Sequence, residues 1–525
     1  MKTLFLYLSE LGSNKLLVLV FLLGVSLGAG VLLILATDQG VGISTDSIAY
    51  LGVSDNVLDG QGLNWLSADG GWQPFTHFPP LYPLMLAGFK LFSRHSLEAA
   101  RSLNVLLFSF NVILVGLILF ESSEKLWLAI LGGVLAGTSP VLVAMHAIAQ
   151  SEALFIFLGF SGLYLFVRYL KTRHFMLILA SALAISLTYL SRYVGITFIV
   201  TVAALILLDT DGKRREKVRN LAVILTIGFV PILVWMGRNF YLTGKATNRV
   251  LLWHPPELSK FTSAFAILWE WIVPYPFTNS TLFGMTLILI GILAAVVILC
   301  WKKGVRNCLR YLRISQSTSM RMALLIFNCV YAFILLLSMT FLDASTPLDI
   351  RITLPLYFGL GILALSLLPN ILDLFDNTVW HFAIIILITL FTYSYIARGV
   401  SEARVLRYDP YGWGSPLFRE DLLSEVLELD QDTIIYTNNL ELLYFFYDRN
   451  GYSTPSKIDK VKMTARPYQE KRLAQMRKLL IDGKAVLVFF NADSKNIPME
   501  WIDGLSQTAW RNHVAVFTGS SSDPK

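Results

Sequence analysis

The sequence predicts a polytopic α-helical membrane protein with a small α/β domain at its C-terminal end. Three observations lead there. Of 525 residues, 55% are hydrophobic and only 15% charged, against about 25% charged in ordinary soluble domains. The long apolar runs stop near residue 400, and 402–525 reads as soluble protein. The basic residues behind the net charge of +7 cluster in short loops between apolar runs. Membrane orientation explains that placement, and it argues against a nucleic-acid partner.

A helix needs about 20 apolar residues to cross the hydrocarbon core. Stretches near 16–36, 102–120, 126–144, 152–170, 174–190, 193–208, 220–237, 281–300, 322–341, 351–369 and 379–397 meet or approach that length, which makes about 11 transmembrane helices. The first is too long, and too poorly followed by small residues, for a cleaved signal peptide. An uncleaved anchor is expected. The segment Leu81–Phe92 is a dozen residues long and reaches only about 18 Å as a helix, so it does not span. It is expected to lie on the outer leaflet as an interfacial helix.

Loop charges set the orientation. With Lys2 and Lys15 in the cytoplasm and 81–92 not spanning, the basic loop 213–219 falls inside, and so does the cluster Lys302, Lys303, Arg306, Arg310 and Arg313. Both clusters would flip outside if 81–92 spanned, against the positive-inside rule. Lys90, Arg94 and Arg101 are then minor exceptions outside. The domains become a membrane unit, 1–400, with an outer loop at 37–101, and an extracytoplasmic unit, 402–525. The localisation expected is the plasma membrane, with a cytoplasmic N-terminus.

Span interiors are nearly free of Asp, Glu, Lys and Arg, with His381 near the inner end of the last span. A transporter would place ionisable groups along its pathway. Here the charges gather at one face: Asp46, Glu152, Arg192, Arg238, Asp343, Asp349 and Arg351. Carboxylates and arginines from separate loops suit a site that handles an anionic lipid head group and a polar acceptor.

Four constellations stand out. In Asp46-Ser-Ile-Ala-Tyr50 the two named residues share a helix face. Asp46 reads either as an N-cap or as a general base that takes the proton of an alcohol acceptor. His77-Phe-Pro-Pro-Leu-Tyr82 holds Pro79 and Pro80, which make a rigid turn and block an earlier helix start. His77 there is open to a metal or phosphate role. Gln150-Ser151-Glu152 places Glu152 at a helix N-terminus, either for the dipole or as a second acidic residue orienting an acceptor or a divalent cation. Arg192-Tyr193, Arg238-Asn239 and Asp349-Ile-Arg351 supply guanidinium groups, for interfacial snorkelling or for gripping a phosphate leaving group. No phosphate-binding glycine loop, dinucleotide fingerprint, H-E-x-x-H or G-x-S-x-G occurs. Cys300, Cys308 and Cys329 form no disulfide framework or zinc signature. Any group donor must therefore arrive already activated.

In order and spacing these motifs resemble the GT-C superfamily of polyprenyl-phosphate-dependent glycosyltransferases. The nearest branch is the bacterial one related to protein O-mannosyltransferases and the lipid A aminoarabinose transferase. The residues carrying the likeness are Asp46 and Tyr50, Pro79-Pro80-Leu-Tyr82, Ser151-Glu152, Arg192, Arg238-Asn239 with Gly244, and Arg351 with Pro355, across 16–370. The resemblance implies single-sugar transfer from a polyprenyl-phosphate donor to an extracytoplasmic lipid, glycan or protein acceptor, with inversion. It implies Asp46 as base and Glu152 as support for acceptor or metal. Arg192 falls at a phosphate-contacting position, and Pro79 and Pro80 at a cavity-lining segment. Tyr50, His77, Tyr82, Tyr193, Arg238 and Arg351 complete the substrate-binding set. A divalent ion, if used, would take Asp46, Glu152 and His77. One departure is Ser47, where many relatives carry an acidic residue after the catalytic Asp. The W-W-D motif of oligosaccharyltransferases is absent. The reading from another class is a lipid or glycan transporter without chemistry.

In the C-terminal unit, 433–437, 485–490 and 513–517 read as strands, and 417–429, 439–447 and 467–481 have helical apolar spacing. Their alternation predicts an α/β domain. Tyr436–Asn439 followed by Leu443–Phe446 reads as packing or as a ligand loop. The domain is expected to close over the outer cavity or to help choose the acceptor.

Overall fold

The computed structural model describes residues 13–93, 95–247, 251–272, 320–343, 346–373, 378–415, 423–456, 458–459, 464–465, 469–490, 497–511 and 514–519. The chain is a multi-pass membrane protein. Among the described residues seven helices are long and apolar enough to cross a membrane, or eight if one bent pair counts as a span. They are α1 (Ser13–Ala36), α4 (Ser96–Ser123), α7 (Glu152–Thr172), α10 (Arg214–Thr243), α12 (Met320–Phe341), α13 (Ile350–Leu372) and α14 (Thr378–Tyr408). The expected stretch 281–300 and its basic flank lie outside the described residues, as do Arg94 and the start of 417–429.

Two expected spans are shorter: α8 (Phe175–Ser191), and α9 (Ile196–Leu208) preceded by one 3₁₀ turn. The stretch 126–144 is bent by 54° into α5 (Leu126–Gly137) and α6 (Pro140–His146). The cause is local. Ser139 accepts from the Leu142 N–H at 3.2 Å and Pro140 occupies the first helical position, so a new helix starts where the old one was to continue.

Lipid gives helices no hydrophobic reason to associate, so close packing must hold them. Small residues on α4 and α5 serve α1: a Cβ at Gly116 or Gly133 would meet the Leu22 side chain at 2.3 and 3.0 Å. At the bundle centre Phe160, Phe198, Phe327 and Phe358 interlock, with ring centroids 4.5–5.4 Å apart.

Two short helices lie beside the bundle. The first, α2 (Thr45–Leu58), begins at an N-cap that is Ser44 rather than Asp46. Ser44 Oγ accepts from the Ser47 N–H at 3.2 Å, and Ser47 Oγ accepts from the Ser44 N–H at 3.0 Å. This reciprocal box gives Ser47 a structural task and leaves the Asp46 carboxylate available. The second, α3 (Leu81–Lys90), starts directly after Pro80 and packs on α2 and α4. Its Lys90 Nζ donates to Asp55 Oδ1 at 2.5 Å. Beyond it Leu91 and Phe92 are exposed. Between α2 and α3 runs a hairpin, β1 (Asn64–Leu66) and β2 (Trp72–Pro74).

An extended segment joins the parts. Gly42 N–H donates to Ala147 O at 2.7 Å and Ala149 N–H to Gly42 O at 3.0 Å. On the other edge Ile43 N–H donates to Tyr411 O and Trp413 N–H to Ile43 O, both at 2.9 Å. Residues 41–43 are thus stitched between the approaches to α7 and the chain leaving α14. A Cβ at Gly42 would meet Tyr411 Cβ at 2.8 Å and Ile148 Cγ1 at 3.1 Å. Gly42→Val is expected to cost about 1–3 kcal/mol and to lower activity by displacing α2. The midpoint of thermal unfolding in detergent checks the first effect.

The C-terminal part forms a five-stranded sheet in the order β4-β3-β7-β9-β8. Its strands are β3 (Ile434–Thr437), β4 (Tyr452–Ser453), β7 (Ala485–Phe490), β8 (Leu505–Arg511) and β9 (Val514–Gly519). β3 runs parallel to β4 and β7, and β9 antiparallel to β7 and β8. All six residues of β7 are buried, as a continuous apolar run requires. Val486, Val488 and Phe490 face α16 (Leu440–Tyr447) in one apolar cluster with Ile48, Tyr50 and Leu51 of α2. Leu487 and Phe489 face α17 (Gln469–Ile481) in another. The sheet is therefore docked onto α2 through α16.

Candidate active site

Asp46 stands in the first turn of α2, and Arg351 in the first turn of α13, where the Asp349 side chain caps the helix. Glu152 opens α7, and Arg192 is the residue after α8. These four, from four elements, form an alternating chain of charge. Arg351 Nη1 donates to Asp46 Oδ2 at 2.6 Å, and its Nε lies 3.3 Å from Glu152 Oε1. Arg192 Nη1 lies 2.5 Å from the same oxygen and donates to Ser151 Oγ at 3.3 Å. The contacts to Glu152 are close ion pairs without hydrogen-bond alignment, so both its oxygens keep acceptor capacity.

Burial differs along the chain. The side chain of Glu152 is 3% exposed, that of Arg192 19%, and those of Asp46 and Arg351 25% each. A carboxylate as enclosed as Glu152 needs paired cations, and it has two. Asp46, at the open end, can be reached from solvent. Burial alone would lower the Arg192 guanidinium, but the Glu152 charge reverses this and it stands above its ordinary value. Arg192 is therefore a fixed cation.

Aromatic rings wall the site. Tyr50 lies on the Asp46 face of α2, and its hydroxyl is 3.4 Å from Ser151 Oγ. Its ring meets Phe78 and Tyr82 edge-on at 5.1 Å each. Burial, then the Asp46 charge, pushes the Tyr50 phenol above its ordinary range, so it serves as a neutral donor. Tyr82 is wholly buried, and its hydroxyl has no hydrogen-bond partner among the described residues. Pro79 and Pro80 are buried at the turn into α3.

The remaining substrate-binding candidates hold the neighbouring loop. Arg238 Nη1 donates to Phe75 O and its Nη2 to Leu63 O, both at 3.1 Å, with the guanidinium 4.8 Å above the Trp235 ring. Tyr193 Oη donates to Thr76 O at 3.0 Å and accepts from Trp235 Nε1 at 3.2 Å. These residues clamp the β1–β2 hairpin, and the Arg238 donors so engaged are turned to backbone carbonyls rather than to the charge chain. His77 is exposed and packs edge-on against Phe78. Asp46, Glu152 and His77 do not come together as a ligand set: no group of three His, Cys, Asp or Glu suited to a metal occurs among the described residues. Two features were not marked by sequence reasoning. Gln150 Nε2 donates to Ser44 Oγ at 2.8 Å, coupling the starts of α2 and α7. Tyr331, fully packed, donates to Ile352 O at 2.8 Å and braces the start of α13.

Comparison with known proteins bears on the fold. Residues 66–245, about a third of the chain, match the family described as dolichyl-phosphate-mannose-protein mannosyltransferase. None of the curated proteins matches. Among solved structures, ArnT from Cupriavidus metallidurans bound to undecaprenyl phosphate is similar over 98% of this chain and 100% of its own, with TM-score 0.59 and 14% identity. The oligosaccharyltransferase of Archaeoglobus fulgidus in its apo form is similar over 89% of this chain and 69% of its own, with TM-score 0.55 and 13% identity. The arabinofuranosyltransferase AftD from Mycobacteria is similar over 96% of this chain and 40% of its own, with TM-score 0.53 and 16% identity. The chain has the fold of these GT-C glycosyltransferases, as the resemblance in its motifs implied.

Proposed function

We propose that this protein is a glycosyltransferase that moves one sugar from a polyprenyl-phosphate donor to a hydroxyl-bearing acceptor on the extracytoplasmic side. The observation that carries the reading is the chain Asp46–Arg351–Glu152–Arg192. It joins one reachable carboxylate to two cations that a second, buried carboxylate holds in place. The match at 66–245 and the fold shared with a structure bound to undecaprenyl phosphate support the donor class.

The chemistry is a single displacement. The acceptor oxygen forms a bond to the anomeric carbon as the bond from that carbon to the phosphate oxygen breaks. The attacking hydroxyl gives its proton to Asp46. Polyprenyl phosphate leaves with the electron pair, and Arg192 and Arg351 meet the charge that develops on it. A guanidinium has five donors in a fixed fork. Arg351 uses Nη1 on Asp46, so its outer edge is left for a phosphate while the base stays oriented. Attack opposite the leaving group inverts the anomeric centre.

No metal step belongs to this scheme. Each carboxylate that would bind a divalent ion is in contact with a guanidinium, Asp46 with one and Glu152 with two. A dication would have to displace them or sit among like charges. Dialysis against a chelator is expected to leave the transfer rate unchanged, and restoration of lost activity by added divalent ions would overturn this point.

The positive-inside argument supports a cytoplasmic N-terminus and an extracytoplasmic 402–525. The test of function is incubation of proteoliposomes with labelled polyprenyl-phosphate sugars, followed by product analysis. Label joined covalently to an acceptor supports the proposal, and label only relocated across the bilayer would show a transporter instead.

A further inference from the structure

We propose that the first two turns of α10, with the ends of α7 and α8 beside them, form a binding site for the head group of an acidic phospholipid. The site lies at the opposite end of the bundle from the charge chain and does not depend on the transferase reading. Arg215 and Arg219 are four residues apart and both exposed, so they share one face of the helix. That face continues at helical spacing through Ala222, Thr226, Val230 and Leu233, all of them exposed. In a helix long and apolar enough to cross the membrane, this stripe is the one that meets lipid tails. The two guanidinium groups therefore stand where the head groups of those same lipids lie. Leu207 and Leu208, at the end of α9, add exposed apolar surface next to the cluster.

The positive-inside rule asks only for charge on this side. Here one of the charges is also held in position. Arg219 Nη2 donates to Tyr169 Oη at 3.2 Å and to Asn220 Oδ1 at 3.4 Å. Tyr169 Oη in turn donates to Asn220 Oδ1 at 2.9 Å, and both side chains are buried. The guanidinium lies 5.6 Å above the Phe175 ring. These contacts use Nη2 and one face of the group. Nε and Nη1 are left for an outside acceptor. The neighbouring carboxylates are already engaged: Asp209 accepts from Arg173 at 2.7 and 3.1 Å, and Glu216 accepts from the Lys213 N–H at 3.4 Å. Neither Arg214 nor Arg215 has an ion pair among the described residues.

Phosphate matches the guanidinium fork in shape and charge. A soluble phosphate would use the arginines and leave the apolar stripe without a role. An acidic phospholipid uses both, with its phosphate on Arg215 and Arg219 and its chains along Val230 and Leu233. A zwitterionic lipid brings its own cation and gains less. On the orientation argued above, the site faces the cytoplasmic leaflet, whose acidic lipids attract basic segments of this kind.

The test follows thermal unfolding of the full chain in a neutral detergent, titrated with phosphatidylglycerol, phosphatidylcholine or sn-glycerol 3-phosphate. Phosphatidylglycerol should raise the wild-type midpoint, and the other two should not at the same concentration. Arg215→Gln breaks no internal contact, so its midpoint without lipid should equal that of the wild type. Its half-saturating phosphatidylglycerol concentration should rise about 5-fold, the usual contribution of one basic residue at an acidic lipid surface. Adding Arg219→Gln should weaken binding about 5-fold more, and it should lower the lipid-free midpoint because the bond to Tyr169 is lost. Any of four results would overturn the proposal: no response of the wild type to phosphatidylglycerol, an equal response to phosphatidylcholine (apolar filling), an equal response to glycerol 3-phosphate (a soluble-anion site), or an unchanged titration in Arg215→Gln.

Discussion

Replacing Asp46 with Asn is expected to slow sugar transfer by about 10²–10⁴-fold, a barrier increase of roughly 3–5 kcal/mol. The substitution keeps size and shape. The amide oxygen can still accept from Arg351, whose Nη1 lies 2.6 Å from the carboxylate in the native protein, so the orientation of α13 and the donor KM should change little. What is lost is the ability to take a proton from the attacking hydroxyl. The cap of α2 is unaffected, because Ser44 and Ser47 make it, and thermal stability should stay close to wild type. Initial rates at saturating donor check the prediction. A variant that transfers sugar at near-normal rate would remove Asp46 as the base and leave it a structural partner of Arg351.

Much of this site was legible in the sequence, for physical reasons that also mark the limits. A charge cannot rest in lipid unaided, so Asp46, Glu152, Arg192 and Arg351 stood out against the apolar runs. Hydropathy likewise located most helices, and the run at 485–490 showed itself as a buried strand. Pairing was not legible. Arg351 and Asp46 are 305 residues apart, and nothing local says that the guanidinium rests on Asp46 and Glu152 rather than in the interface. Arg238 read equally as a phosphate ligand and as an interfacial cation, yet its donors hold the carbonyls of Leu63 and Phe75. The cap alternative for Asp46, beside its reading as a base, stayed open because the competing Ser44 is an unremarkable residue until its hydroxyl is seen on Ser47. The bend at Ser139-Pro140 had a local signal, a cap followed by proline, which the continuous apolar run masked.

Arg192→Met is expected to be the most damaging substitution to the folded protein in this site. Glu152 is held at 3% exposure by two guanidinium groups. Breaking a buried ion pair from one side costs about 3–5 kcal/mol, because the other charge stays buried. Arg351 still reaches Glu152, at the longer distance of 3.3 Å, so the cost should fall at the lower bound, about 3 kcal/mol. Donor KM should rise as well, since one of two phosphate partners is gone. The double variant Arg192→Met with Glu152→Leu separates the effects. It removes the stranded carboxylate, so thermal stability in detergent should recover in large part. Donor binding should not recover, because the cation stays absent. The pair of measurements therefore tells a structural ion pair from a functional one. If the double variant regains both stability and donor affinity, Arg192 serves only to neutralise Glu152, and the phosphate grip rests on Arg351 alone. If the single variant loses neither, the buried chain of charge carries no weight in the fold or in the reaction.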